Sequence, residues 1–314
     1  MNGTFNIQYL SHQQIDKAKW DACINKATNG LAYAYSFYLD IMAKNWDALV
    51  LSKGSHSEKD YEVVMPLTWN KKYGIHYLYQ PFLTAQLGVF GKTLNAELTE
   101  AFLKAIPAKF RYWDISLNHE NVFVSDNFKL RQRSNYVLDL NKPYENLYKD
   151  YKENIQRNIR KAEQAGCTVQ KDFDVKKVIE LALRQMKNYT KESADNVERF
   201  RNLYQILHQQ QKAITYGIVS AQIKLLASCV FFFSHNRAYY ILVGNHPDGK
   251  TLGASHALID AFIKEHAATN MILDFEGSDI PSLALFYNSF GAVVEKYSAI
   301  KLNRLPIYLK WMKK

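Results

Sequence analysis

Cysteine is scarce in this chain of 314 residues: the three that occur, Cys23, Cys167 and Cys229, are far apart. Their number is odd, no CxxC pair occurs, and no histidine stands at metal-ligand spacing from any of them. The sequence therefore excludes a disulfide framework and predicts free, mostly buried thiols of a reducing compartment, with no metal site.

Long apolar runs are also missing. The longest, Leu225–Phe233, is far shorter than the roughly 20 residues that span a bilayer, and it predicts a buried strand instead. The first residues, Met1–Asn6, have neither a basic start nor a continuous apolar stretch, so we expect no signal peptide and a cytoplasmic protein. A GxSxG elbow and a P-loop are absent from the sequence, which argues against hydrolases and nucleotidases.

Acidic residues are outnumbered, with 30 Asp and Glu against 40 Lys and Arg, and the formal net charge is +10. Such an excess favours polyanionic partners: tRNA, a phosphate-bearing substrate or an anionic membrane face. The charge alone does not choose among these partners. The 21 Tyr and 17 Phe residues suit sheets more than long helical bundles.

One stretch of the first half reappears in the second half. In the first copy Gly91-Lys92-Thr93-Leu94 leads through Thr99–Lys104 to Tyr112–Ile115. In the second copy Gly249-Lys250-Thr251-Leu252 leads through Ile259–Lys264 to Ile272–Phe275. Each copy has the pattern of a strand, a tight glycine turn, a helix and a strand. We therefore predict an α/β (α+β) fold of two tandem domains, each with a mixed central sheet flanked by helices.

The length of the chain also favours two domains. We place the boundary near Asn135, which gives domains of residues 1–134 and 135–314. After the boundary, a basic helix is expected over about Tyr144–Ala165, stopped by Gly166. Its cations Arg157, Arg160 and Lys161 fall on one face, and Ile155, Ile159 and Ala162 on another. The basic face is a candidate phosphate-binding surface, or simply a solvated one.

Two segments of the second copy carry the candidate chemistry. Gly249–Ser255 is expected to be a glycine-containing turn between a strand and a helix that begins near Gly253. The free N–H groups of a helix start can hold an anion, although a glycine in such a turn is often only conformational. The second segment is expected to form a helix with Asp279 as N-cap and Pro281 in its first turn, and Tyr287 lies near its C-terminal end.

Together these segments resemble the GNAT superfamily, whose members have an R/Q-x-x-G-x-G/A loop followed, after the next strand, by a helix that ends in a Tyr-x-x-x-Gly-Phe pattern. Lys250-x-x-Gly253-x-Ser255 is similar to the loop, and Tyr287-x-x-Phe290-Gly291-Ala292 is similar to the helix end. Lys250 and Ser255 depart from the loop pattern. The resemblance implies that the loop amides hold the pyrophosphate of an acyl donor and that Tyr287 protonates the leaving group.

The same resemblance implies further site residues. The donor-binding set comprises Val243, Gly244, Lys250, Leu252, Gly253, Ala254, Ser255 and Phe286. Strand-edge amides over Leu242–Gly244 would stabilise the oxyanion. Glu276, which follows the strand Met271–Phe275, is the carboxylate nearest in sequence to Tyr287 and is a candidate base or amine-orienting group. Asp274 has a counterpart in Asp114, so we expect a structural role for it.

The duplication and the run from Tyr151 to Gly166, similar to an R-x-x-I-R-K-A-x-x-x-G helix, resemble the Fem-like group of methicillin-resistance and peptidoglycan-bridge aminoacyltransferases. That likeness covers about Tyr61 to Ala292. It implies aminoacyl-tRNA as donor, an amine of a phosphate-bearing cell-wall precursor as acceptor, no bound cofactor, and peripheral membrane contact. Its characterised members have Lys where this chain has Tyr287, and the helical hairpin that some use for tRNA is lacking.

Three functions therefore remain open. The first is a Fem-like aminoacyltransferase, the second is an acyl-coenzyme A-dependent N-acyltransferase, and the third is a non-catalytic protein that binds tRNA or a membrane surface. The N-terminal domain is expected to be degenerate and to help bind the acceptor, whereas the C-terminal domain holds the donor and the reaction site. The histidines His235, His246, His256 and His266 have no metal-binding spacing and are expected to be ordinary surface or core residues.

Overall fold

The computed structural model describes residues 5–53, 60–186, 193–277 and 279–306. Within these residues, thirteen strands and ten α-helices follow one another. The first are β1 (Ile7–Leu10), α1 (Lys17–Lys26), α2 (Ser36–Met42), β2 (Asn45–Lys53), β3 (Asp60–Lys72), β4 (Ile75–Tyr79), β5 (Phe90–Gly91), α3 (Ala96–Lys104), β6 (Phe110–Ser116) and β7 (Leu130–Asp139).

The second half of the chain supplies the other elements. They are α4 (Tyr144–Lys149), α5 (Glu153–Gln164), β8 (Thr168–Lys171), α6 (Val175–Met186), α7 (Ala194–Gln209), β9 (Ala213–Val219), β10 (Leu225–Ser234), β11 (Arg237–Asn245), α8 (Pro247–Leu252), α9 (Ala254–His266), β12 (Ile272–Asp274), α10 (Pro281–Asn288) and β13 (Val293–Asn303). Every helix in the described ranges is too short or too polar to cross a lipid bilayer.

Contacts divide the chain into two compact units, one of residues 1–133 and 296–314 and the other of Ser134–Glu295. This division differs from the expected one at the C-terminal end. The end of the chain joins the first unit because β13 pairs antiparallel with β6, from Ala299 opposite Ser116 to Asn303 opposite Tyr112. Because β13 pairs with a strand that is distant in sequence, no local sequence pattern predicts this pairing.

The sheet of the first unit has the strand order β1-β2-β3-β4-β6-β13, and β5 pairs with β3. All neighbours are antiparallel except β4 and β6, which run parallel because α3 lies between them in the chain. Leu98, Phe102 and Leu103 of α3 are buried against this sheet in a core that also contains Trp113. The first unit is thus a mixed sheet with a crossover helix.

The sheet of the second unit has the order β7-β12-β11-β10-β9-β8, and its parallel pair is β11 with β12. The crossover helix is α9, whose Leu258, Phe262 and Ile263 are buried. The predicted buried strand is confirmed: β10 covers Leu225–Ser234 and is buried over most of its length. The predicted class, two mixed sheets flanked by helices, is confirmed as well.

The two parallel pairs are equivalent in register, as the sequence repeat predicts. Tyr79 of β4 lies opposite Asp114 of β6, and Tyr239 of β11 lies opposite Asp274 of β12.

The cysteines also match expectation, since all three are free and Cys23 and Cys229 are buried.

Two predicted helices have different bounds in the structure. The basic helix is interrupted at Asp150–Lys152, so that α4 and α5 are separate, and Gly166 follows α5 with a φ of 70°. The helix that carries Tyr287 has Ile280 as its N-cap, not Asp279, because Ile280 is the extended residue before Pro281.

Candidate active site

Strands β11 and β12 run parallel for only a few residues and then part. Their pairing ends at Tyr239 opposite Asp274, whereas β11 continues to Asn245. The same stretch of β11 contains a β-bulge, because Ile241 has no partner in the register with β10. A bulge bends a strand and re-aims its backbone groups, and bulges are common next to active sites. One edge of β11 therefore borders a gap in the sheet.

Val243 and Gly244, two of the predicted donor-binding residues, lie in this part of β11. A Cβ atom on Gly244 would come within 2.6 Å of the backbone nitrogen of Ala182 in α6. The close approach of α6 therefore requires glycine at this position. Donor binding by the two residues remains a prediction.

The prediction of a glycine-containing turn over Gly249–Ser255 is wrong, because most of this segment is helical. Pro247–Leu252 is the short helix α8, and His246 caps it by accepting a hydrogen bond from the Asp248 N–H at 3.1 Å. Lys250 and Leu252 therefore lie on a helix, and only Gly253 separates α8 from α9. Proline is favoured in a first helical turn, and this signal at Pro247 outweighs the turn propensity of Gly249.

Gly253 has a left-handed φ of 77°, which explains a glycine between two helices. It also lies against α5: a Cβ atom there would be 2.3 Å from the carbonyl oxygen of Asn158. The residue predicted to approach a donor phosphate is thus in contact with another backbone.

The first turn of α9 differs from the first turn of α3, its counterpart. Asn95 precedes α3 at the place of Gly253, and its side chain accepts a hydrogen bond from the Leu98 N–H at 2.8 Å. In α9 no side chain caps the first turn. Ala254 is buried there, and the Ser255 hydroxyl donates to Oδ1 of the Asn245 side chain at 2.5 Å.

Helix α5 has the two faces that the sequence predicts. Ile155, Ile159 and Ala162 are buried, whereas Arg157, Arg160 and Lys161 are exposed. Over the described parts of the chain, none of these three cations has an ion-pair partner. The basic face therefore offers unneutralised positive charge.

Tyr287 is buried at the C-terminal end of α10, with an exposed fraction of 8%. Its ring stacks on Phe275, directly after β12, with centroids 4.6 Å apart and an interplanar angle of 20°. Burial raises the pKa of the Tyr287 phenol above its ordinary value, and the negative charge of Glu276 raises it further. The phenol is therefore protonated at neutral pH. The charge of Glu276, the other predicted catalytic residue, therefore acts on Tyr287.

Glu276 is half-buried and has a left-handed φ of 64°. This conformation is unusual for a residue with a long side chain, and such outliers concentrate at functional sites. Its N–H donates to the Asp274 carboxylate at 2.8 Å, which closes a turn directly after β12.

Asp274 belongs to a buried charge cluster, which agrees with the expected structural role. Its carboxylate accepts from Arg237 at 2.6 Å and from the Asn135 amide at 2.9 Å. Arg237 also donates to both carboxylate oxygens of Glu295, at 2.9 and 3.0 Å. Burial alone would lower the pKa of Arg237, but the two carboxylates raise it, so the guanidinium stays charged.

Sequence reasoning missed Arg237 and set His256 aside with the ordinary histidines. The sequence feature that could have revealed Arg237 is its position as a cation at the start of an apolar strand. A cation buried there requires anionic partners. His256 lies in the first turn of α9, and its ring meets the ring of Phe286 edge-on with centroids 5.1 Å apart. Burial lowers the pKa of His256 to about 4, so this imidazole is neutral. Within the described residues, no group of histidine, cysteine and carboxylate side chains could hold a metal ion.

The first unit contains a cleft of about 320 Å³ beside its own parallel strand pair. Asp114, the counterpart of Asp274, lines this cleft and is exposed. Among the other lining residues are three tyrosines and three cations: Tyr77, Tyr79, Tyr112, Arg131, Arg133 and Lys301. The cleft can therefore bind a ligand that has anionic groups and flat or apolar parts.

Residues 149–279 match the profile of the acetyltransferase (GNAT) domain family. This part of the chain is therefore similar to a GNAT domain. The matched span contains α5, the parted strands β11 and β12, and Glu276. It ends before Tyr287.

Solved structures resemble the fold of this chain over both units. FemX is 14% identical, covers 96% of this chain with 98% of its own, and gives a TM-score of 0.64. A conserved protein of unknown function from Bacteroides thetaiotaomicron is 13% identical, with coverages of 95% and 100% and a TM-score of 0.58. The C-terminal domain of a putative lysylphosphatidylglycerol synthetase from Agrobacterium fabrum is 9% identical, with coverages of 95% and a TM-score of 0.54.

At these identities the structural likeness concerns the fold. It agrees with the predicted mixed α/β fold class. The comparison with curated proteins finds no match. The match of residues 149–279 to an acetyltransferase domain supports an acyltransferase activity.

The packing at Gly253 can be tested with a matched pair of glycines. Gly253→Ala and Gly74→Ala both place alanine at a positive φ, of 77° and 78°, but only the first meets a backbone oxygen. We expect Gly74→Ala to cost about 1 kcal/mol of unfolding free energy, and Gly253→Ala to cost about 1–3 kcal/mol more. Urea denaturation of both variants measures the difference. Equal losses would contradict the contact with Asn158.

The neutral state of His256 predicts a pH dependence of stability. Because its pKa is lowered from 6.5 to about 4 in the folded protein, the unfolded chain binds more protons between these values. The unfolding free energy should therefore fall as the pH drops from about 6.5 to about 4. We expect His256→Gln to remove part of this fall in urea titrations at several pH values. A difference curve between wild type and variant that is flat with pH would refute the assignment.

Proposed function

We propose that this chain transfers an aminoacyl group from aminoacyl-tRNA to an amine of a phosphate-bearing cell-wall precursor, by way of the second unit. The observation that carries the proposal is the buried Tyr287 phenol, whose ring stacks on Phe275 directly after β12 and whose pKa the charge of Glu276 raises. The gap between β11 and β12 gives an extended donor access to strand amides, to an acid and to a carboxylate within one unit.

In the proposed reaction, the amine nitrogen of the acceptor attacks the ester carbonyl carbon of the donor. The carbonyl oxygen becomes negative and accepts hydrogen bonds from amides of the gap-facing edge of β11, around Val243 and Gly244. The bond from this carbon to the ribose oxygen then breaks, and Tyr287 protonates that oxygen. Glu276 takes the proton that the amine nitrogen loses, and exchange through water carries this proton to the Tyr287 phenolate, which restores both residues.

The raised pKa of Tyr287 supports an ester donor. A proton moves most readily to a leaving group whose basicity matches that of the acid. A free thiolate has a conjugate acid with a pKa of about 8.5, whereas a sugar alkoxide is far more basic. A strongly held phenolic proton therefore suits a departing ribose oxygen better than a departing thiolate.

The donor is assigned to the second unit because the first turn of its crossover helix has no side-chain cap. In α3 the Asn95 side chain accepts from the Leu98 N–H, whereas in α9 the corresponding N–H of His256 donates to the Gly253 carbonyl oxygen. Uncapped N–H groups at a helix start attract phosphate. Lys250 and the exposed cations of α5 add positive charge beside α9, and a polyanion such as tRNA would neutralise it.

The acceptor is assigned to the cleft of the first unit. Arg131, Arg133 and Lys301 line it and suit a phosphate, and the tyrosines suit a sugar or base ring. We place the reaction in the cytoplasm, where aminoacyl-tRNA is made, with peripheral membrane contact if the acceptor is attached to lipid.

An acyl-coenzyme A donor is the second candidate, and the GNAT family match is the observation that favours it. Isothermal titration with acetyl-coenzyme A and with aminoacyl-tRNA separates the two. Saturable micromolar binding of acetyl-coenzyme A would favour this second function. Binding of neither donor would favour a protein without catalytic activity.

The acid role of Tyr287 is tested by Tyr287→Phe. This change keeps the ring that stacks on Phe275 and removes only the hydroxyl, so we expect kcat to fall about 10²-fold or more while the KM of the donor changes little. Tyr136→Phe is the matched control, because this ring lies 6.3 Å from that of Tyr287. Its kcat should stay within about threefold of wild type. Undiminished activity of Tyr287→Phe would refute the assignment.

The role of α5 is tested by replacing Arg157, Arg160 and Lys161 with glutamine together. If all three contact phosphates, the slope of log affinity against log salt for aminoacyl-tRNA should become shallower by about 2. Affinity at physiological salt should fall at least about tenfold. The control is Lys176→Gln with Lys177→Gln, two exposed lysines of α6. An equal loss in the control would mean that only net charge matters.

A further inference from the structure

The backbone at Glu276 is held in place by the carboxylate of Asp274, the last residue of β12. Glu276 has a left-handed φ of 64°, and non-glycine residues keep this conformation only where their surroundings enforce it. Its N–H donates to an oxygen of Asp274, two residues earlier, at 2.8 Å. A buried carboxylate therefore fixes the turn from which the Glu276 side chain projects.

Asp274 is itself fixed from the opposite side. Arg237 donates to its other oxygen at 2.6 Å, while Asn135 donates to the oxygen that also accepts the Glu276 N–H. Arg237 is 93% buried and is held by Glu295 through two hydrogen bonds. The Asp274 carboxylate thus has little freedom to rotate. Through its hydrogen bond with the Glu276 N–H, its orientation determines the position of the Glu276 backbone.

The first unit contains the same aspartate without this arrangement. Asp114 lies opposite Tyr79, in the same register as Asp274 opposite Tyr239, but Tyr77 stands where Arg237 would be. The strand of Asp114 continues for two more residues to Ser116, whereas β12 ends at Asp274. The buried arginine and the turn therefore occur together, in the unit to which we assign the chemistry.

We infer that Arg237 and Asp274 are positioning residues for the transfer reaction, which hold the Glu276 backbone so that its carboxylate faces Tyr287 and the amine to be deprotonated. This inference rests on the proposed function. Arg237 and Asp274 touch no substrate; they act only through Glu276.

A double-mutant cycle tests the inference, because residues that act through one another are not additive. We expect Glu276→Gln to lower kcat about 10²-fold and to remove the acidic limb of the pH profile. Asp274→Asn should lower kcat about tenfold or more with little change in the KM of the donor. In the double variant, kcat should equal that of Glu276→Gln alone. A kcat in the double variant that falls by the product of the two single effects would overturn the inference.

Arg237→Lys provides a second cycle in case Asp274→Asn does not fold. Lysine keeps the positive charge but cannot hold two carboxylates through the planar fork of a guanidinium. Its effect on kcat should be smaller and should again vanish in the Glu276→Gln background. A multiplicative loss there would overturn the inference in the same way.

Two measurements separate positioning from loss of stability and from loss of the function itself. Tyr144→Phe removes a 2.9 Å hydrogen bond to the buried Asp260 and should lower Tm without changing kcat, so it serves as the control for destabilisation. Hydrogen exchange of the Glu276 amide should accelerate at least about tenfold in Asp274→Asn, and unchanged exchange would overturn the inference. A wild-type protein without acyl transfer would refute the proposed function, whereas an active wild type with multiplicative effects refutes only the positioning role.

Discussion

The second unit depends on a buried guanidinium. Removing Arg237 from water is costly, and the cost is offset only if carboxylates surround it in good geometry. Asp274 and Glu295 do so, and Asn135 donates to both. Loss of one partner from such a cluster typically costs about 3–5 kcal/mol, because a buried charge is left uncompensated. These four residues come from separate segments of the chain, so their pairing determines where β12 lies and where it ends.

The end of β12 has chemical consequences. Because the strand stops at Asp274 while β11 continues, the sheet opens at the same level at which Phe275, Glu276 and Tyr287 meet. Beyond Tyr239, the backbone of β11 has no β12 residue opposite it. Tyr287 lies in a desolvated position, where its proton is held firmly. A structural charge cluster and a candidate reaction site thus share one carboxylate, that of Asp274.

Local patterns predicted much of this architecture. The strand β10, the apolar stripes of α5 and α9, and the equivalence of Asp114 with Asp274 all follow from spacing within short segments. The prediction failed where distant residues decide. Arg237 is separated by 37 and 58 residues from its partners, and the pairing of β13 with the first sheet has no local signature. At Gly249–Ser255, the expected glycine-containing turn concealed a short helix that Pro247 and the His246 cap stabilise.

Packing and ligand binding can both account for the presence of glycine at position 253. The missing side chain lets the Asn158 carbonyl of α5 approach the start of α9, which a Cβ atom would prevent. Arg157 and Lys161 lie within one turn of Asn158, so this contact also fixes their distance from the uncapped amides of α9. In the first unit, Asn95 fills the equivalent position and caps its helix with its own side chain. A glycine at this junction therefore leaves the first turn of α9 without a side-chain cap and brings a basic helix beside it.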